Sequence, residues 1–378
     1  SNGAVKEKKV LANGKMRITF EQTPKMSTYL VFFGIGEFEF TPDKKDKRVR
    51  VATLPGMQKF ARFGADLGRK SLEFSESYYG IAYPLPKMDL IAIPDFAFGA
   101  MENWGAITFR ENLLLHYPDV TSKSGEERIF EVVAHEIAHQ WFGNLVTPSD
   151  WRYLWLNESF ATFFGFGVVD HYCPQWDTWQ QFLYSMTDPA LTRDALHETF
   201  AIEIPGGEHV VINASTAPII YNKGGSILRQ IQGYIGEDSF RKGLQHYLQT
   251  HEYDCATSQD LWQSMEAVTR QPISELMRSW IEQPGYPEVT VSRQNNRLKL
   301  KQQRFTCLPN ESAQRWLIPV SVNLFSKTGD TRQLSVLMDK SEAVIEIDDD
   351  VAAYKVNARQ TGFYRVKYDD ADNLVELG

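Results

Sequence analysis

Cysteine is scarce: three residues in a chain of 378. Cys173, Cys255 and Cys307 are odd in number and far apart, so they predict neither a disulfide framework nor a thiolate metal site. The plain expectation is buried or inert thiols. Long apolar runs are missing too. The longest, residues 160–169, is interrupted by glycine and falls short of the roughly 18 residues of a membrane span. An excess of positive charge is also absent. The net charge is −8, which argues against a nucleic-acid partner, since phosphates need basic patches. The start, residues 1–10, is polar and charged and does not read as a signal peptide. Neither an internal repeat nor a low-complexity segment stands out. What remains is 43% hydrophobic and 23% charged, the make-up of a globular protein. At about 150 residues per domain, the length predicts two or three domains. Asn-x-Ser sequons occur at Asn157, Asn213 and Asn310. We read all three as chance and expect a cytoplasmic protein, because Asn157 falls in a candidate catalytic core where a glycan has no room.

Residues 15–41 alternate and are rich in β-branched and aromatic side chains, which predicts two strands around a Thr23-Pro24 turn. Residues 42–51 read as a charged linker or strand. Helical spacing follows from Gly56 to about residue 80. Strands are expected at 88–93 and 104–109, with a loop between them. From residue 124 to about 283 the chain is helix-rich. Helices are expected at 126–143, 157–172, 175–186, 223–235, 237–250, 258–269 and 272–282. At Pro284-Gly285-Tyr286-Pro287 the character changes to seven short alternating strands, 288–293, 298–304, 317–326, 331–337, 344–347, 354–356 and 362–368. Such a run suggests a small β-sandwich.

Residues 135–139 read His-Glu-Ile-Ala-His. On a helix, His135 and His139 project from one face a turn apart, as two ligands of one Zn²⁺ require, and Glu136 can take a proton from metal-bound water. A third ligand is needed. Glu158, nineteen positions beyond His139, opens a strongly apolar helix with Trp155, Leu156, Phe160, Phe163 and Phe164 around it. An acid in that setting is costly unless paired or bound to a cation, although a helix N-terminal carboxylate would also suit the dipole. Two His and one Glu leave a fourth position open, the pattern of a catalytic rather than structural zinc site.

His-Glu-x-x-His followed by Glu after an 18-residue spacer resembles the gluzincin metallopeptidases. Gly99-Ala100-Met101-Glu102-Asn103, 31 residues upstream, narrows the resemblance. It points to the zinc aminopeptidases that include aminopeptidase N, the puromycin-sensitive enzyme and the archaeal tricorn-interacting enzymes. The last group is the most similar, and the resemblance covers nearly the whole chain. It implies an α+β multidomain architecture. Residues 1–41 would be the last strands of an N-terminal β domain, residues 42–283 a thermolysin-like catalytic domain with a small mixed sheet, and residues 284–378 the β-sandwich. It implies one Zn²⁺ held by His135, His139 and Glu158, with Glu136 as general base toward a zinc-bound water. Peptides with a free N-terminus would be the substrates. Tyr221, in Tyr221-Asn222-Lys223-Gly224-Gly225, would donate to the oxyanion, and Lys223 would be structural or solvated. Glu102 would bind the substrate α-amine, with Gly99, Ala100, Met101 and Asn103 framing an extended peptide. Family members add an amine-binding residue from a preceding β domain, and this subgroup adds a helical domain after the sandwich. On that pattern the chain is expected to be a fragment, with weaker activity and looser selection for a free amine.

Two other readings share these residues. A thermolysin-type endopeptidase has the same metal site but no need of an amine-binding acid such as Glu102. A non-catalytic peptide-binding scaffold on the same fold generally loses a ligand or the base, and here His135, Glu136, His139, Glu158 and Tyr221 are all in place.

Overall fold

A computed structural model describes residues 1–204, 211–309, 311–369 and 373. The sequon at Asn310 lies outside the described residues. In chain order the elements are β1 (Val5–Val10), β2 (Met16–Phe20), β3 (Glu39–Pro42), β4 (Val49–Thr53), α1 (Arg62–Tyr79), β5 (Met88–Ile93), β6 (Ala100–Met101), β7 (Ala106–Arg110), α2 (Lys123–Ala138), β8 (Val146–Pro148) and α3 (Trp155–Tyr172). There follow α4 (Thr178–Phe182), α5 (Asp188–Asp194), α6 (Gly224–Ile235), α7 (Glu237–Thr250), β9 (Asp254–Ala256), α8 (Ser258–Thr269) and α9 (Ile273–Ile281). The last strands are β10 (Pro287–Gln294), β11 (Arg297–Arg304), β12 (Ile318–Ser326), β13 (Thr331–Met338), β14 (Glu342–Glu346), β15 (Val351–Val356) and β16 (Arg365–Tyr368). Residue contacts divide the chain into two compact units. One holds Ser1–Ser149, Leu156–Trp179 and Gln245–Ala256; the other holds Asp150–Trp155, Gln180–Leu244 and Thr257–Gly378.

The first unit is built on a five-stranded mixed sheet in the order β3-β4-β5-β7-β6. The β4, β5 and β7 strands are parallel neighbours, while β3 and β6 run antiparallel at the edges. Buried Val49, Val51, Leu90, Ile107 and Phe109 explain the order, because strands covered on both faces are continuously apolar. Residues 49–53 are thus a buried strand, and Arg48 and Arg50 within the charged stretch are ion-paired with Glu76 and Asp89. At the start of the chain β2 pairs with β1 and not with a strand after Thr23-Pro24. The Asn13-Gly14 pair explains this, since Gly14 takes a φ of +75°, whereas Pro24 offers no N–H to a ladder.

Helix α2 starts at Ser122, whose Oγ accepts the Gly125 N–H at 3.1 Å. It stops at Ala138, earlier than its periodicity suggests. The carbonyls of His139, Gln140 and Trp141 accept N–H groups five residues on, from Asn144, Leu145 and Val146, in a widened turn. Gly143 lies in that turn at a φ of +116°. Helix α3 is buried on nearly every side over residues 155–169. Behind the α2 turn, Phe142 stacks on Phe160 with centroids 4.4 Å apart, and Tyr79 lies 5.3 Å from both Phe142 and Trp141 and 5.0 Å from Phe164. This aromatic cluster fixes the end of α2 against α3.

In the second unit, two sheets run in the orders β14-β11-β10-β16 and β13-β12-β15. Their strands fall close to the seven expected, and β10, β11 and β12 bury alternate residues. The expected helix at 175–186 is instead a 3-10 turn at Pro174–Trp176, then α4 and a π turn at Leu183–Thr187. A second π turn, Pro218–Lys223, precedes α6. The described cysteines are free: Cys173 is half-buried, and Cys255 and Cys307 are exposed. No helix among the described residues is long and apolar enough to cross a membrane.

Candidate active site

The ends of α2 and α3 bring His135, His139 and Glu158 together. His135 Nε2 and His139 Nε2 are 3.1 Å apart, and Glu158 Oε2 lies 3.5 and 3.4 Å from them. Ligands at about 2.0–2.1 Å around a tetrahedral zinc are separated from one another by roughly 3.3–3.4 Å, so the triangle has the size a zinc ion needs. The Phe142 carbonyl lies 3.1 Å from His139 Nδ1. A proton on Nδ1 satisfies that contact and leaves the Nε2 lone pair facing the cluster. Burial lowers the pKa of His135 and outweighs the nearby Glu158. Burial opposes the charge of His139 as well, but Glu102 and Glu158 raise its pKa to about 10. Burial likewise works against the Glu158 carboxylate, and the two histidines overcome it and hold the acid ionised. With two imidazole nitrogens and one carboxylate oxygen at this spacing, the donor set fits a divalent cation.

Glu136 is 5% exposed, and its Oε2 has no hydrogen-bond partner. Burial drives its pKa well up. A carboxylate oxygen of Glu102, one of Glu136 and a ring nitrogen of His139 lie within 4.8 Å of one another. Glu102 is thus part of the same cluster, at the end of the edge strand β6. Ala100 and Met101 pair with Phe109 and Thr108 of β7, and Gly99 O accepts the Arg110 N–H. The outer side of β6 has no β neighbour among the described residues. Asn103 turns inward: its Oδ1 accepts from Thr108 Oγ1, and its backbone carbonyl accepts the Ala106 N–H. It shapes the turn that carries Glu102.

Four further residues at this site were not singled out as functional by the sequence reading. Gln140 Nε2 and Asn144 Nδ2, both in the turn after α2, donate to the Glu102 carbonyl at 3.3 and 2.9 Å. Asn157 Nδ2 donates to Glu102 Oε1 at 3.0 Å, and Tyr29 OH reaches the same oxygen at 3.4 Å. The sequence marks Asn157 only as a glycan sequon; with 2% of its surface exposed there is no room for a glycan. The signal for Asn144 and Asn157 was their nearness in sequence to the candidate metal ligands, whereas nothing local marks Tyr29.

Tyr221 belongs to the second unit, half-buried in the π turn Pro218–Lys223. Lys223 is fully buried and paired with Asp194 at 2.9 Å, so it is structural and not solvated.

The chain spans about half the length of the curated relatives it matches. It is 44% identical over 364 residues to a leucyl aminopeptidase of Saccharolobus solfataricus, covering 96% of this chain and 46% of that protein. A tricorn protease-interacting factor F2 of Thermoplasma acidophilum is 42% identical over 366 residues, 96% of this chain and 45% of the relative. Aminopeptidase M1 of Arabidopsis thaliana is 39% identical over 388 residues, 98% and 44% respectively. The family model described as the peptidase family M1 domain matches residues 63–280, more than half of the chain and all of α2 and α3. The chain therefore belongs to peptidase family M1.

Proposed function

We propose that this chain carries the catalytic part of a zinc aminopeptidase that removes N-terminal residues from peptides. The observation that carries the reading is the triangle of His135, His139 and Glu158, 3.1–3.5 Å on a side, with Glu136 and Glu102 buried beside it. The names of the relatives support the same activity. In this reading residues 42–283 form a thermolysin-like catalytic domain, and residues 284–378 form a β-sandwich.

His135, His139 and Glu158 would hold one Zn²⁺. The chemistry that zinc supplies when bound is Lewis acidity, toward water and toward a peptide carbonyl. Glu136 is the proton carrier. Its raised pKa suits a group that accepts a proton from the attacking water and returns it to the leaving amine. Glu102 supplies the charge that recognises an α-ammonium, which an endopeptidase would not need. The free edge of β6 offers backbone groups to an extended peptide. Tyr221 is assigned to the oxyanion on the resemblance of its flanking residues alone.

The test is hydrolysis of aminoacyl-aminomethylcoumarins beside their N-acetyl counterparts, with and without chelator, and with Glu136→Gln as blank. Chelator-sensitive cleavage of only the free-amine substrates is expected. Internal cleavage of blocked peptides would instead support an endopeptidase. A purified chain that neither holds nor responds to zinc would support a scaffold.

A further inference from the structure

Glu102 is 6% exposed, and its two oxygens are held unequally. Oε1 accepts from Asn157 Nδ2 at 3.0 Å and from Tyr29 OH at 3.4 Å, whereas among the described residues no donor reaches Oε2. No Lys or Arg among the described residues forms an ion pair with Glu102. An amide and a phenol are both neutral donors, so they fix the carboxylate without forming an ion pair with it. A cationic donor there would compete with a substrate ammonium.

Tyr29 is carried by a single 3-10 turn, Thr28–Leu30, in a segment otherwise lacking regular structure. Its position depends on distant side chains. Asn2, buried at the start of the chain, donates to Leu30 O at 2.9 Å and to Trp104 O at 2.8 Å, and its Oδ1 accepts the Phe32 N–H at 2.8 Å. Asn2 thus ties the segment bearing Tyr29 to the turn bearing Glu102. The Tyr29 hydroxyl also lies 3.4 Å from Gly143 O, in the turn that ends the metal-binding helix. Burial, then Glu102 and Glu158, keep this phenol protonated well above its ordinary range, so it remains a donor.

We infer that Tyr29 is a positioning residue: with Asn157 it pins one oxygen of Glu102, so that the other is presented to the α-ammonium of a peptide. Selection for a free N-terminus then depends on the Tyr29 hydroxyl. The inference rests on the reading of Glu102 as the amine-binding acid.

The test compares the zinc-loaded chain with Tyr29→Phe, Glu102→Gln and the double variant. Two quantities are read: kcat and KM for leucyl-aminomethylcoumarin, and the affinity ratio of L-leucinamide to its des-amino analogue, 4-methylpentanamide. Tyr29→Phe removes only a hydroxyl, so zinc content and unfolding temperature serve as folding controls. The expected result is a rise in KM of about threefold to tenfold, a nearly unchanged kcat, and an amine preference weakened by the same factor. In the Glu102→Gln background, Tyr29→Phe should add nothing, because the two act as one unit. Equal effects in both backgrounds, or an unchanged amine preference in Tyr29→Phe, would overturn the inference while leaving Glu102 in place. If Glu102→Gln itself leaves the amine preference intact, the reading of Glu102 falls and the inference with it.

Discussion

Gly143 illustrates how much one position constrains the site. Its φ of +116° suits glycine, and a Cβ there would overlap Asn157 Oδ1. Gly143→Ala is expected to destabilise the protein by about 2–5 kcal/mol, from backbone strain plus overpacking, and to displace Asn157 from Glu102. Urea denaturation together with the KM for a free-amine substrate checks both effects. Glu136→Gln should lower kcat by about 10²–10⁴, the usual worth of a general base, with zinc content unchanged by metal analysis. A third case is electrostatic. Glu203 is buried, and its Oε2 accepts from Ser258 Oγ at 2.5 Å and Trp155 Nε1 at 3.3 Å. Burial raises its pKa above the usual value, against those hydrogen bonds. Its contribution is therefore full below the unfolded pKa and is lost as pH rises through the folded one. Glu203→Gln, which keeps an acceptor and removes the charge, should raise the melting temperature at pH 8 and leave it nearly unchanged at pH 4. Thermal unfolding at the two pH values decides.

Among the elements, the π turn at Pro218–Lys223 is the least predictable from sequence. Its last residue is anchored by a buried network in which Lys223 Nζ meets Asp194 Oδ2 and donates to Gly285 O, while Asp194 Oδ1 accepts from the Gly285 N–H and from Thr199. Removing one partner strands a buried charge. Lys223→Met alone is expected to cost about 3–5 kcal/mol, and Lys223→Met combined with Asp194→Leu distinctly less. Equilibrium denaturation of both variants tests this. Periodicity found α6 to within a residue, because Ile227, Leu228 and Ile231 recur on one buried face. It left out the π turn, because the expected helix starts only at residue 223. It also overran α2, whose apolar pattern continues through Trp141 and Phe142 although the backbone has already left the helix. Those two rings are buried in the aromatic cluster, so apolarity there reports packing and not helix.

For the molecule as a whole, a bound metal is a ligand of the folded state alone. If His135, His139 and Glu158 hold zinc, chelation should lower the unfolding temperature and zinc should restore it. A metal present at a thousand times its dissociation constant contributes about 4 kcal/mol. Calorimetry with and without chelator measures this, and an unchanged transition would count against the site. The two units allow another comparison: chelator sensitivity should be strongest at amides of the first unit in hydrogen exchange, since all three candidate ligands lie there.

The candidate metal ligands stand out in the sequence because their geometry is local. The i, i+4 spacing of His135 and His139 needs only one helical turn, which the end of α2 and its helical cap His139 supply, and an acid in a strongly apolar segment marks Glu158 on energetic grounds. Strand positions from 287 onward were readable for a similar reason, since alternation and turn residues are properties of short windows. What holds Glu102 was not readable. Tyr29, Asn157 and Asn2 act across separations of 73, 55 and 102 residues. Their amide and hydroxyl groups find partners only once packing has removed water from the turn after α2. Short windows carry periodicity and local cost, so they determined most helices, most strands and the candidate metal donors. The partner of a buried polar group is chosen by which distant groups share its dry volume, and only the tertiary structure decides that.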